Sequence, residues 1–123
     1  IGININRFPV STLDTSKYDE FFHAVRRYQP SSVMIQEAGL NWPAMPADHM
    51  LGNVAKKHLD PDESRAYTAH NQHSGTNERS QWGGTAILSY GPVCQYSMGA
   101  GANPTGLGRW CWVRYRGRDN MVL

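Results

Sequence analysis

An α/β fold is predicted, with a strand–helix–strand unit at the front and a strand-dominated second part. Three observations predict it. Ile1, Ile3 and Ile5 alternate with Gly2, Asn4 and Asn6, the period-two pattern of a strand with one buried face. Tyr18, Phe21, Phe22, Val25 and Tyr28 then recur at helical spacing on one side of a helix. Ser32 to Gln36 (Ser-Val-Met-Ile-Gln) is a short apolar run of the kind that forms a buried strand.

The elements follow in order. Asp14, Thr15 and Ser16 offer side-chain caps for the start of the first helix. Gln29-Pro30 stops it, because the residue before proline is pushed out of the α region. With a short connection on each side, strand, helix and strand make one βαβ unit with parallel strands. A second helix is expected over residues 47–58, with Asp48 as its cap and Met50, Leu51, Val54 and Ala55 as its apolar side. Residues 67–70 read as a short strand and 71–81 as a polar loop. Residues 84–90 (Gly-Thr-Ala-Ile-Leu-Ser-Tyr) read as a strand, 99–108 as a glycine-rich loop, and 110–115 as a further strand. The chain opens on Ile1 inside an apolar alternation and closes on Met121-Val122-Leu123, the start of a strand. Both ends therefore read as cut, and the expectation is a piece of one domain whose carboxyl-terminal half is missing.

Composition bounds the function more loosely. The 123 residues allow one modest core, and 40% hydrophobic with 18% charged residues is ordinary for a globular chain. A net charge of +2 is too small to argue for nucleic acid by itself. The nearest thing to a basic patch is Arg109, Arg114, Arg116 and Arg118. Those arginines suit phosphate contacts, or equally a solvated edge strand. Two cysteines, Cys94 and Cys111, with no signal-like apolar run at the start, suggest a reduced intracellular setting, the nucleus included. Both read as buried thiols, near each other across a hairpin of the two late strands. No stretch has the length to span a membrane, so a membrane partner is not expected.

If the two first strands are parallel neighbours, their carboxyl ends share one sheet edge, where open α/β folds bind ligands. Asn4 and Asn6 lie at that end of the first strand and Glu37 directly follows the second. One carboxylate with two carboxamides suits Mg²⁺, which takes one or two carboxylates and completes its shell with water and substrate phosphate. The plain alternative is that both asparagines only bond loops and Glu37 is solvated.

Gly2-Ile3-Asn4-Ile5-Asn6-Arg7, followed later by Ile35-Gln36-Glu37, resembles the opening of the endonuclease/exonuclease/phosphatase superfamily. Trp82-Gly83-Gly84-Thr85-Ala86-Ile87-Leu88-Ser89 is similar to the family's later glycine-rich strand, and Gly108-Arg109 sits where the family places its next strand pair. Tyr28-Gln29-Pro30, Gln36-Glu37-Ala38-Gly39-Leu40-Asn41-Trp42 and Gly106-Leu107-Gly108-Arg109-Trp110 look most like endonuclease domains attached to reverse transcriptases of retroelements. The resemblance implies a two-layer β-sandwich flanked by helices, of which this chain supplies part.

It implies further that Glu37 ligates Mg²⁺ or Mn²⁺, that Asn6 lies in the ion's outer shell, and that Asn4 orients the scissile phosphate. Arg7, Trp42, His70, Asn71 and Arg109 are the substrate-binding candidates. The implied partner is DNA, nicked to prime reverse transcription by an enzyme of the same polyprotein. The family's later aspartates and its closing Asp-His pair have no match here, so the chain alone is expected to be inactive. Two alternatives stay open: a parent phosphatase of small phosphoesters, and a non-catalytic nucleic-acid-binding remnant. His70-x-x-His73, with His49 and His58, fits no zinc spacing and reads as solvated loop residues. Trp110 and Trp112 read as core, and Trp42, in a loop beside Glu37, as the better candidate for substrate contact.

Overall fold

A computed structural model describes residues 1–59, 63–73, 78–118 and 122. Strand β1 (Gly2–Asn4) pairs in parallel with β2 (Ser32–Gln36), and helix α1 (Ser16–Tyr28) connects them. The expected βαβ unit is present. Its first connection is not short, because residues 5–15 intervene and carry Phe8 into the core. Helix α1 has Thr15 at its N-cap without a side-chain cap bond. Asp14 instead accepts from the Ser16 backbone and hydroxyl, at 3.1 and 2.7 Å. The helix ends in Gln29, whose left-handed φ of 47° lets its N–H reach the Val25 carbonyl.

The helix expected over 47–58 is broken. A single 3-10 turn, Ala47–His49, is followed by extended Met50 (ψ 143°), and the α-helix α2 is only Leu51–His58. Asp48 does not cap it; its carboxylate bonds His49 Nδ1 at 3.0 Å. The Asn53 side chain, which donates to the Ala47 carbonyl at 2.6 Å, ties the two pieces together.

Strands β3 (Ser64–Ala69) and β4 (Thr85–Tyr90) complete a four-stranded sheet in the order β1-β2-β4-β3, with β4 antiparallel to both its neighbours. Register decides which residues share a face. Val33 pairs with Leu88 and Ile35 with Ala86, and these four, all buried, meet α1 and α2 through Phe21, Phe22, Val25, Leu51, Val54 and Ala55. Phe8 is the hub of this core: its ring stacks on Tyr18 at 4.6 Å and meets Phe21 edge-on at 5.7 Å.

The other face carries Met34, Gln36, Thr85 and Ile87. A two-stranded antiparallel ribbon, β5 (Ser97–Ala102) and β6 (Cys111–Tyr115), covers its β3–β4 side. The Tyr67 hydroxyl bonds Ser97 Oγ at 2.5 Å, and Ser89 Oγ bonds the Tyr115 hydroxyl. β5 corrects the expectation of a glycine-rich loop over 99–108; the turn is confined to the residues after Ala102. Cross-strand pairing here overrides the poor strand propensity of Gly99 and Gly101. The late strands β4 and β6 lie in different sheets, so they form no hairpin; Cys94 is buried and Cys111 only half-buried, both free. The strand opening expected at 121–123 lies outside the described residues except for Val122, which bridges Arg116. No helix among the described residues is long and apolar enough to cross a membrane.

Candidate functional site

The site forms where β1 and β2 end side by side. Asn4 is paired with Gln36, and the ladder runs on past both strands. Ile5 N–H donates to the Gln36 carbonyl at 3.1 Å, Arg7 N–H to Glu37 at 2.8 Å and Phe8 N–H to Ala38 at 2.9 Å. Continuing it requires unusual backbone. Asn6 (φ 48°), Arg7 (φ 70°) and Glu37 (φ 53°) all adopt the left-handed region, and Gln29 is the only other non-glycine residue to do so among the described residues. Each such residue costs about 1–2 kcal/mol, least for asparagine, and strain of this kind gathers at functional sites.

Two local bonds hold the strained turn. Asn4 Oδ1 accepts from the Asn6 N–H at 2.9 Å. Lys17, on the first turn of α1, donates from Nζ to the carbonyls of Asn6 and Arg7 at 2.9 and 2.7 Å. With one lone pair of its oxygen engaged, the Asn4 amide has its NH₂ to donate, which suits a phosphate oxygen. The Glu37 side chain is exposed, and among the described residues it meets neither a cation nor a hydrogen-bond donor.

Glu37 lies at the edge of a cleft of about 650 Å³ between the open face of the sheet and the 107–111 segment. Asn71, Trp82, Thr85, Arg109 and Trp110 are among its other lining residues. Arg7 reaches the rim: its aliphatic stem crosses Gly39, where a Cβ would fall 2.6 Å from Arg7 Cγ. Its guanidinium then lies 4.0 Å from the Trp82 ring centroid. Trp82 is 85% exposed.

Gln81 holds the walls together. It is buried, accepting from the Asn71 N–H at 2.6 Å and donating to the Leu40 carbonyl at 3.2 Å. Gly108 (φ 67°) packs so closely on the His70 backbone that a Cβ would meet its carbonyl carbon at 2.3 Å. Burial also lowers the His70 pKa below the ordinary histidine value.

Glu37, Asn71 and Arg109 thus line one cleft, Asn4 pairs with Gln36 at its end and Arg7 reaches its rim over Trp82, whereas Asn6 is not among its lining residues. His70 is a wall element behind Gly108 and does not line the cleft. Trp42 corrects the expectation of substrate contact. The 3-10 turn Trp42–Ala44 folds its ring into the core, 1% exposed and 6.4 Å from Phe8. Trp110 and Trp112 correct it in the opposite sense, being 47% and 40% exposed, because β6 turns Cys111, Val113 and Tyr115 away from solvent.

His49, His58 and His73 have local partners. His49 meets Asp48, His58 stacks on Phe22 at 4.8 Å and approaches Asp19 at 3.6 Å, and His73 Nε2 meets the Thr105 carbonyl at 3.0 Å. Lys17 and Gln81 carried no motif in the sequence; only the folded turn and cleft give them a role. Among the described residues no three His, Cys, Asp or Glu side chains group to hold an ion, so Glu37 would hold one as a single carboxylate. That donor set fits Mg²⁺, which completes its shell with water and substrate oxygens. A scan of protein-family models finds no match to the chain, and a search of curated proteins finds none either.

Proposed function

We propose that this chain carries the metal-binding edge of a divalent-metal-dependent phosphodiesterase whose complete domain nicks DNA. The observation that supports the reading is the adjacency of Asn4 and Glu37 at the paired ends of β1 and β2, beside the cleft. A bound Mg²⁺ or Mn²⁺ would polarise the phosphodiester and stabilise the charge that develops on it. Glu37 supplies the carboxylate that holds the ion, and Asn6 an amide beside it.

The Asn4 NH₂ donates to a phosphate oxygen and fixes its direction. Arg7 and Arg109 offer cationic contacts to flanking phosphates, which position a nucleic acid without reading its sequence. The water-activating base is not among these residues, and the superfamily resemblance assigns it to aspartate and histidine motifs that this sequence does not contain.

Mn²⁺ titration of the intact chain, followed by NMR, tests the ion site. Paramagnetic broadening is expected first at the amides of residues 4–7 and 36–38, and Glu37→Gln should abolish that localisation. In a domain that also supplies the later motifs, Glu37→Gln should lower Mg²⁺-dependent plasmid nicking by about a hundredfold or more. Unchanged nicking by that variant would overturn the role of Glu37.

A further inference from the structure

Outside the cleft, the outer face of the β5–β6 ribbon has a construction that the hydrolytic site does not explain. Period-two alternation places Trp112 and Arg114 on one face of β6, away from the sheet, with Trp110 directly before the strand, and all three are exposed. On β5, Gly101 pairs with Trp112 and Gly99 with Arg114. Glycine at 101 is what lets the indole lie against the ribbon, since a Cβ there would fall 2.7 Å from Trp112 Cε2, Cζ2 and Nε1. The Arg114 guanidinium lies 5.6 Å from the same ring. Small residues on one strand and large flat ones on the other thus leave a broad aromatic surface with a cation beside it.

Charge gives this surface its partner. Residues 97–118 contain four arginines, Arg109, Arg114, Arg116 and Arg118, and no aspartate or glutamate. A purely apolar protein partner would bury the Arg114 guanidinium with no carboxylate to meet it. A lipid interface also takes tryptophan, but as a side chain that projects for insertion, whereas the Trp112 ring lies against Gly101 with its outer face open. Alternating flat π-faces and guanidinium groups match a chain that alternates bases with phosphates, and stacking of this kind tolerates any base. The surface also adjoins the cleft, because Trp110 is among the cleft's lining residues.

We propose that the outer face of the β5–β6 ribbon binds single-stranded nucleic acid, DNA or RNA, by stacking bases on Trp110 and Trp112 with Arg114 against the phosphates. A strand held there runs towards Glu37. The binding needs neither a metal ion nor hydrolysis, so it stands or falls separately from the phosphodiesterase reading.

The test uses the intact chain in chelator-containing buffer at low salt, titrated with oligothymidylate, oligouridylate, a duplex of equal length, and inorganic polyphosphate of equal charge. Both single strands should quench tryptophan fluorescence and bind more tightly than the duplex, with affinity falling as salt rises. Trp112→Ala should weaken binding by about tenfold. Should that variant lose the ribbon, as judged by circular dichroism, Trp110→Ala and Arg114→Gln take its place, since neither side chain packs on Gly101; each should weaken binding several-fold. Duplex binding as tight as single-strand binding, polyphosphate binding as tight as either oligonucleotide, or unchanged affinity in Trp110→Ala and Arg114→Gln, would overturn the proposal.

Discussion

Glu37 occupies a backbone conformation that an L-residue with a side chain adopts at a cost of about 1–2 kcal/mol. Glycine would adopt it freely, at the expense of more chain entropy lost on folding. Glu37→Gly is therefore expected to leave the thermal midpoint unchanged or slightly raised while erasing Mn²⁺ localisation. A fall in stability of more than about 2 kcal/mol would mean that the carboxylate has a structural role.

His70 gives the opposite kind of sensitivity. Its folded-state pKa is depressed by burial, so the folded chain binds the proton less readily than the unfolded chain. Its contribution is fully present above the unfolded value of 6.5 and is lost as pH falls below it towards the folded pKa. Denaturation midpoints measured through that window should drop with acid, and His70→Asn should flatten the drop. Gly108→Ala, which sets a methyl group against the His70 backbone at positive φ, should cost more than about 2 kcal/mol by urea titration.

At the scale of elements, α1 both covers the sheet and steadies the site, through the Lys17 ammonium on the carbonyls of Asn6 and Arg7. Hydrogen bonds to a charged group contribute about 1.5–3 kcal/mol. Lys17→Met should lose stability in that range and broaden the amide signals of residues 5–7, and Lys17→Arg should restore part of both.

Which elements the sequence made legible follows from how they are stabilised. α1, β2 and β4 bury one periodic side each, and pattern alone finds them. The β5 sequence reads as loop because Gly99 and Gly101 have low strand propensity, and only Trp112 across the ribbon explains Gly101. The break at Met50 was hidden because Ala47, Asp48 and His49 are acceptable helix residues; the preceding Pro46 and the Asn53 bond set the turn. Asn4 and Glu37 were legible as strand-end residues. Lys17 was not, since a lysine on an amphipathic helix normally marks only the solvated side.

Across the whole molecule, stability is unevenly shared. One cluster around Phe8 joins Ile5, α1 and the Trp42 turn, so Phe8→Ala should cost about 3–5 kcal/mol, a large part of the stability of a domain this small. The aromatic positions show where pattern misleads. Trp42 was expected at the surface and Trp110 and Trp112 inside, because a ring's place depends on the layer its element joins, which no local spacing encodes.

Two hydroxyl pairs, Tyr67 with Ser97 and Ser89 with Tyr115, tie the ribbon to the sheet, in contrast to the close-packed apolar layer beneath α1 and α2. Such a seam is polar, and water can replace each of its bonds. The 107–111 wall of the cleft belongs to the ribbon side of that seam, so the width of the cleft is expected to follow the integrity of the seam. Mild denaturant should loosen that wall before the sheet melts, with amide exchange at β5 and β6 rising ahead of β2 and β4, and the space in front of Glu37 would widen while the residues that define it stay in place.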